Sequence, residues 1–161
     1  MWTQQWPVTK LKSLDREARK IIVENGGKHP NGSTAILYMP REKGGRGLWS
    51  LEEEYKVTKK KAAVKPYRNG DPAMAISREF EEKVEKLGHS SLVKEAATYA
   101  EERGLQLQLE YPNPTCIRRD SEEVITAEKL KAELRRGLEQ KTWKVVLEQS
   151  WQGKLTYAKR L

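Results

Sequence analysis

Apolar positions along this chain recur with two periods, and the breaks between them set out the elements. Leu11, Leu14, Ala18, Ile21, Ile22 and Asn25 repeat at helical spacing, with Thr9 or Ser13 as N-cap and Gly26-Gly27 as the stop. Arg16, Arg19 and Lys20 fall on the opposite face of that helix. A loop from Lys28 to Ser33 leads into Ala35–Met39, an apolar run short enough for a strand or an extended segment. Ser50-Leu51-Glu52-Glu53 reads as a capping box that opens a second helix. Its apolar stripe is Leu51, Tyr55, Thr58 and Ala62, and Pro66 marks its end. Asp71 as N-cap and Pro72 at the first helical position start a third helix, with Ala73, Ile76, Phe80, Val84 and Leu87 on one face and Gly88 as its stop. Ser91 caps a fourth, with Leu92, Ala96, Ala97 and Ala100 inside and Gly104 at its end. The short joint Gly88–Ser91 between the last two predicts an antiparallel helical hairpin.

The period then changes. Leu105–Tyr111 alternates strictly, as a half-buried strand does, until Pro112-Asn113-Pro114 breaks it. A long helix is expected from about Ala127 to Trp151, with Leu130, Leu134 and Leu138 on one stripe and Trp143, Leu147 and Trp151 on another. The chain stops at Leu161 without a clear cap, an ending that suggests truncation. The expected fold class is mainly α: about five helices with one or two short strands, in two loosely joined helical parts. The parts divide near residue 70, into a basic thumb-like part at 1–70 and a charge-neutral linker-like part at 71–161.

Charge changes the picture more than composition does. Charged residues make up 34% of the 161, above the roughly 25% of ordinary globular chains, so the core is expected to be thin. Residues 1–70 hold 15 Lys/Arg against 7 Asp/Glu, whereas residues 71–161 hold 16 of each. The whole formal net charge of +8 therefore lies in the first part. Such asymmetry points to a polyanion, with nucleic acid ahead of an anionic membrane surface. No apolar run approaches the ~20 residues of a membrane span, so no membrane partner is expected. Lys56, Lys59, Lys60, Lys61 and Lys65 on the second helix extend the basic surface on this reading.

Catalytic and metal chemistry is sparse. Cys116 is the only cysteine, and neither His29 nor His89 lies near enough in sequence to build a zinc site with it. Asp120-Ser121-Glu122-Glu123 is the best carboxylate cluster for a metal, and helix initiation explains it equally well. There is no Ser/His/Asp order, no phosphate loop of the Walker pattern and no adjacent aspartate pair of the polymerase kind. The expectation is no enzyme, no metal and no cofactor, in an intracellular protein of the nucleus or cytoplasm.

The densest stretch is Leu37–Leu48, which holds Pro40, Arg41, Lys43, Gly44, Gly45, Arg46 and Gly47. Glycines at this density serve backbone conformations closed to other residues, or close approach of the backbone to something else. Two readings stand side by side. In one, Arg41, Lys43 and Arg46 hold phosphates that the bare backbone of Gly44, Gly45 and Gly47 approaches. In the other, the glycines only turn a corner between two elements.

Leu14-Asp15-Arg16 with Arg19-Lys20, His29-Pro30, Leu37-Tyr38, Pro40-Arg41, Gly44-Gly45-Arg46-Gly47-Leu48 and Leu51-Glu52 together resemble reverse transcriptases of non-LTR (LINE-type) retrotransposons. The similar region there follows the palm, in the thumb and the linker behind it. Trp143 and Trp151-Gln152-Gly153-Lys154 look like the end of that linker. The resemblance covers most of the chain, is specific between Leu14 and Glu52, and weakens beyond Ala62. It implies contact with template and primer, and a turn between thumb and linker at Gly44-Gly45. The fingers, palm, catalytic aspartates, zinc knuckle and endonuclease motifs of such enzymes are lacking, so nucleic-acid contact without polymerase activity is implied. The expected contacts are Arg16, Arg19, Lys20, Arg41, Lys43, Gly44, Gly45, Arg46, Gly47, Lys56, Lys59 and Lys60, acting on RNA or DNA phosphates. The other class of function is a protein-interaction module that docks its neutral half on a reverse-transcriptase palm or another protein.

Overall fold

The computed structural model describes residues 4–126, 128–130, 132–134, 142, 144, 145 and 148. Within them the chain is mainly helical. Five α-helices, α1 (Val8–Glu24), α2 (Ala35–Tyr38), α3 (Leu51–Arg68), α4 (Pro72–Lys86) and α5 (Leu92–Glu101), are joined by a 3-10 turn at Arg41–Lys43. Three short strands follow, β1 (Leu105–Gln108), β2 (Thr115–Arg118) and β3 (Val124–Ile125). The chain separates into two compact units, one around Gln4–Glu54 and the other around Tyr55–Gly137. Their boundary falls inside α3, between Glu54 and Tyr55.

The second unit carries the larger core. Its strands form an antiparallel sheet in the order β1-β2-β3, with Leu105 opposite Arg118 and Cys116 opposite Ile125. Val64 of α3, Ala100 of α5, Leu105, Cys116, Ile125, Leu130 and Leu134 pack together in its interior. The Arg118 guanidinium locks β2 by donating to Glu133 Oε1 through Nε (3.1 Å) and Nη2 (2.7 Å), and to Glu123 at 2.7 Å. Such a fork is the stronger kind of ion pair because both donors are aligned.

Local signals in the sequence are met where a side chain acts on its own backbone. Asp71 Oδ1 accepts from the Ala73 N–H at 2.8 Å, with Pro72 first in α4, and Ser91 Oγ accepts from the Lys94 N–H at 3.0 Å. Elsewhere the structure differs. Helix α1 begins at Val8 with Pro7 before it, and neither Thr9 nor Ser13 caps it. It buries Leu11 and Asp15, while Leu14, Ala18 and Ile21 of the expected stripe are exposed. Ala35–Tyr38 is a single helical turn rather than a strand, since four residues are too few for either period to show. Helix α3 runs through Pro66 to Arg68. Its buried side is Lys56, Val57, Lys59, Lys60, Ala63, Val64 and Tyr67, not the stripe of Leu51, Tyr55, Thr58 and Ala62. Two strands beyond β1 were not legible, and Asp120–Glu123 lies in the connection between them rather than opening a helix. The long helix expected over Ala127–Trp151 lies mostly outside the described residues, including Trp143, Leu147 and Trp151, although Leu130 and Leu134 are described and buried.

Candidate nucleic-acid interface

The first unit is tied together by one carboxylate. Asp15, only 6% exposed on α1, accepts from Ser50 Oγ at 2.6 Å, from the Leu51 N–H at 2.9 Å and from the Glu52 N–H at 3.2 Å. These are the amides left free at the start of α3, where a negative group is favoured. Asp15 therefore occupies the N-terminus of α3, a place where an anion such as a phosphate is otherwise favoured. Ser50 takes part in the same cluster, with its Oγ at 3.5 Å from the Glu53 N–H. Four residues along α1, Arg19 donates to the Tyr38 hydroxyl at 2.9 Å and fixes the next turn against α2.

Six backbone bonds fix the glycine stretch, three within the corner and three back to α2 and its C-cap Met39. Lys43 and Gly45 N–H donate to Pro40 O, Gly44 to Arg41 O, Arg46 to Ile36 O, Gly47 to Met39 O and Leu48 to Leu37 O, all at 2.8–3.0 Å. Gly44 (φ 81°) and Gly47 (φ 67°) are left-handed, which side chains with a Cβ resist. At Gly45 a Cβ would overlap the Met39 carbonyl and side chain. All three glycines thus serve the corner itself. What the corner presents is cationic: Arg41, Lys43 and Arg46 are exposed, and Arg41 Nε donates to Arg46 O at 3.4 Å.

Helix α1 adds a second group. Lys12, Arg16 and Lys20 recur every four residues, so they form a ridge beside the buried Leu11/Asp15 side. All three are exposed, with Lys20 on Glu17 at 2.9 Å and Lys12 on Glu52 at 3.7 Å. The Lys20–Glu17 pair is exposed on both sides and worth under about 1 kcal/mol, whereas Glu52 of the Lys12 pair is half-buried. Lys12 was missed by the sequence reading, although its spacing to Arg16 and Lys20 was a signal for it.

The lysines of α3 are placed differently. Lys56, Lys59 and Lys60 are 7%, 2% and 2% exposed inside the second unit. Lys56 pairs with Glu102 at 2.6 Å and Lys59 with Glu95 at 3.1 Å, while Lys60 Nζ donates to the Leu134 carbonyl at 3.4 Å. Tyr99 and Tyr55 rings lie 5.4 Å from Lys56 Nζ and 5.3 Å from Lys59 Nζ. Burial, and then the Glu95 charge, hold the Tyr99 phenol above its usual range. Lys56 and Lys59 are neutralised by carboxylates of α5 and its C-terminal end and Lys60 is buried on a carbonyl, so the solvated basic face expected on α3 does not form at these three positions. The surplus charge of residues 1–70 is partly balanced by residues 71–161 within one unit.

Among the described residues no group of three His, Cys, Asp or Glu is placed to hold a metal ion, and no helix is long and apolar enough to cross a membrane. No family model, curated protein or solved structure matches the chain.

Proposed function

We propose that this protein binds RNA or duplex nucleic acid through backbone phosphates, without reading sequence. The contacts come from the first unit: Lys12, Arg16 and Lys20 on α1, and Arg41, Lys43 and Arg46 on the corner. The observation that carries this reading is the corner, where three exposed cations stand on a backbone fixed by six hydrogen bonds. A loop fixed before binding loses little entropy when a phosphate arrives. Phosphate contacts position a protein and carry no base information, so specificity is low. On this reading the chain is a thumb-and-linker fragment of a LINE-type reverse transcriptase, acts inside the cell and has no polymerase activity of its own.

Fluorescence anisotropy with an RNA hairpin and with two DNA duplexes of unrelated sequence tests this. Affinities for the two duplexes within about threefold are expected, because about 1–3 kcal/mol per mismatched base is the mark of sequence reading. A preference well beyond tenfold for one duplex goes against it, and so does an absence of binding. Primer extension with magnesium and nucleotides is expected to yield no product. A second reading, a protein-docking module in the neutral part, is favoured by α4 and its C-cap, which leave Ile76, Phe80 and Leu87 exposed.

A further inference from the structure

Helix α4 buries none of its 15 residues. Ile76 (69% exposed), Phe80 (63%) and Leu87 (71%) fall within about 40° of one another around its axis, forming one apolar stripe three turns long. The helix beneath the stripe is firmly held. Asp71 caps its start, and Arg78 donates to the carbonyls of Pro66 and Asn69 while stacking 4.1 Å from the Tyr111 ring centroid. Glu81 accepts from the Val93 N–H at 3.2 Å, which ties the far side of α4 to α5. The stripe is therefore a formed surface, and a row of exposed large apolar side chains on one face of a held helix marks an interface.

The charges beside it select the occupant. Glu79 and Lys86 are both exposed and lie seven residues apart, about 60–80° to one side of the stripe. Glu79 stands at the middle of the helix and Lys86 at its end. Lys83, also exposed, lies about 20° off the stripe on the side of Glu79, at a level between Phe80 and Leu87. A second α4 laid antiparallel brings Glu79 against Lys86 of the second copy and repeats the pair at the other end. It also sets Ile76 opposite Leu87, and Lys83 opposite the Phe80 ring, where a cation is favoured. A parallel second helix sets Glu79 opposite Val84 and loses both pairs.

We propose that the protein self-associates through α4, packed antiparallel on α4 of a second copy about a two-fold axis near residues 81 and 82. This inference does not depend on the nucleic-acid reading, since it uses the other unit. The interface is small against the standard size, so association is weak, with a dissociation constant on the order of 100 μM.

Sedimentation equilibrium of the full chain from about 10 μM to about 1 mM tests it. Phe80→Glu is expected to weaken the dimer at least about tenfold, because an isologous contact is lost twice. Glu79→Lys alone and Lys86→Glu alone are each expected to weaken it about fivefold at low salt, while the combined Glu79→Lys, Lys86→Glu variant returns to within about twofold of wild type. Circular dichroism melts accompany each variant, and if Phe80→Glu disturbs the fold the two exposed charge positions decide alone. A wild-type chain that stays monomeric throughout overturns the proposal, including the case in which an unrelated protein covers the stripe. So does a combined charge reversal that associates no better than its single components.

Discussion

Asp15→Ala is expected to loosen the first unit by an amount that follows from its three bonds. The carboxylate accepts from Ser50 Oγ and from the Leu51 and Glu52 amides at the start of α3, across 35–37 residues of sequence. A capping side chain replaced by alanine costs typically about 1 kcal/mol and up to about 2. Two amides and a hydroxyl lose an ionised acceptor at a site only 6% exposed, which raises the figure. The Ser50 hydroxyl, already 3.5 Å from the Glu53 N–H, recovers part of the loss by turning to that amide. The balance is about 2–3 kcal/mol, which for a chain of this length lowers the melting temperature by about 5–10 °C. Glu17→Ala on the exposed side of the same helix serves as control and is expected to stay within about 0.5 kcal/mol. Hydrogen exchange locates the effect, since the Leu51 and Glu52 amides are expected to lose protection first. A melting temperature for Asp15→Ala within about 1 °C of wild type, with those amides still protected, would refute the reasoning.

Three further outcomes follow from the same contacts. Lys59→Met leaves the Glu95 carboxylate buried without its cation and is expected to cost about 3–5 kcal/mol in chemical denaturation, whereas Lys59→Met with Glu95→Leu is expected to recover most of that. Gly45→Ala forces its methyl into Met39, whose carbonyl also accepts from Gly47, and is expected to cost about 1–3 kcal/mol in the same measurement. Burial pushes the Cys116 thiol from 9.0 up to about 11, so the folded state keeps a proton that the unfolded state loses. Stability is therefore complete below about pH 9 and declines as pH rises towards 11, by about 2–3 kcal/mol from this group, and Cys116→Ala is expected to flatten that decline.

The parts legible in the sequence are those whose causes are local. Asp71 and Ser91 act on amides two and three residues away, so α4 and α5 were readable from spacing and caps alone. The burial of Lys56 and Lys59 on α3 was not, because the carboxylates that neutralise them arrive from Glu102 and Glu95, 46 and 36 residues on. A run of lysines on a helix normally reads as a solvated face, and only the tertiary partners reverse that. Asp15 was hidden for the same reason: nothing in its own neighbourhood marks it as the cap of a helix that begins 36 residues later. At the corner the glycines were visible as a group and the turn was one of the two readings the sequence left open, but the close approach of Gly45 to Met39 needed the fold to be seen. The short strands β2 and β3 have too few residues to show a period, and pairing rather than pattern defines them.

The salt dependence of nucleic-acid binding tests the central claim most directly. Six cations at about 0.7–0.9 ions released per contact predict a slope of log affinity against log salt of about −4 to −5. Changing Arg41, Lys43 and Arg46 together to alanine is expected to bring that slope to about −2 to −3 while leaving the fold intact, because all three side chains are exposed. A wild-type affinity that stays flat as salt rises, or a triple variant with an unchanged slope, would contradict the account.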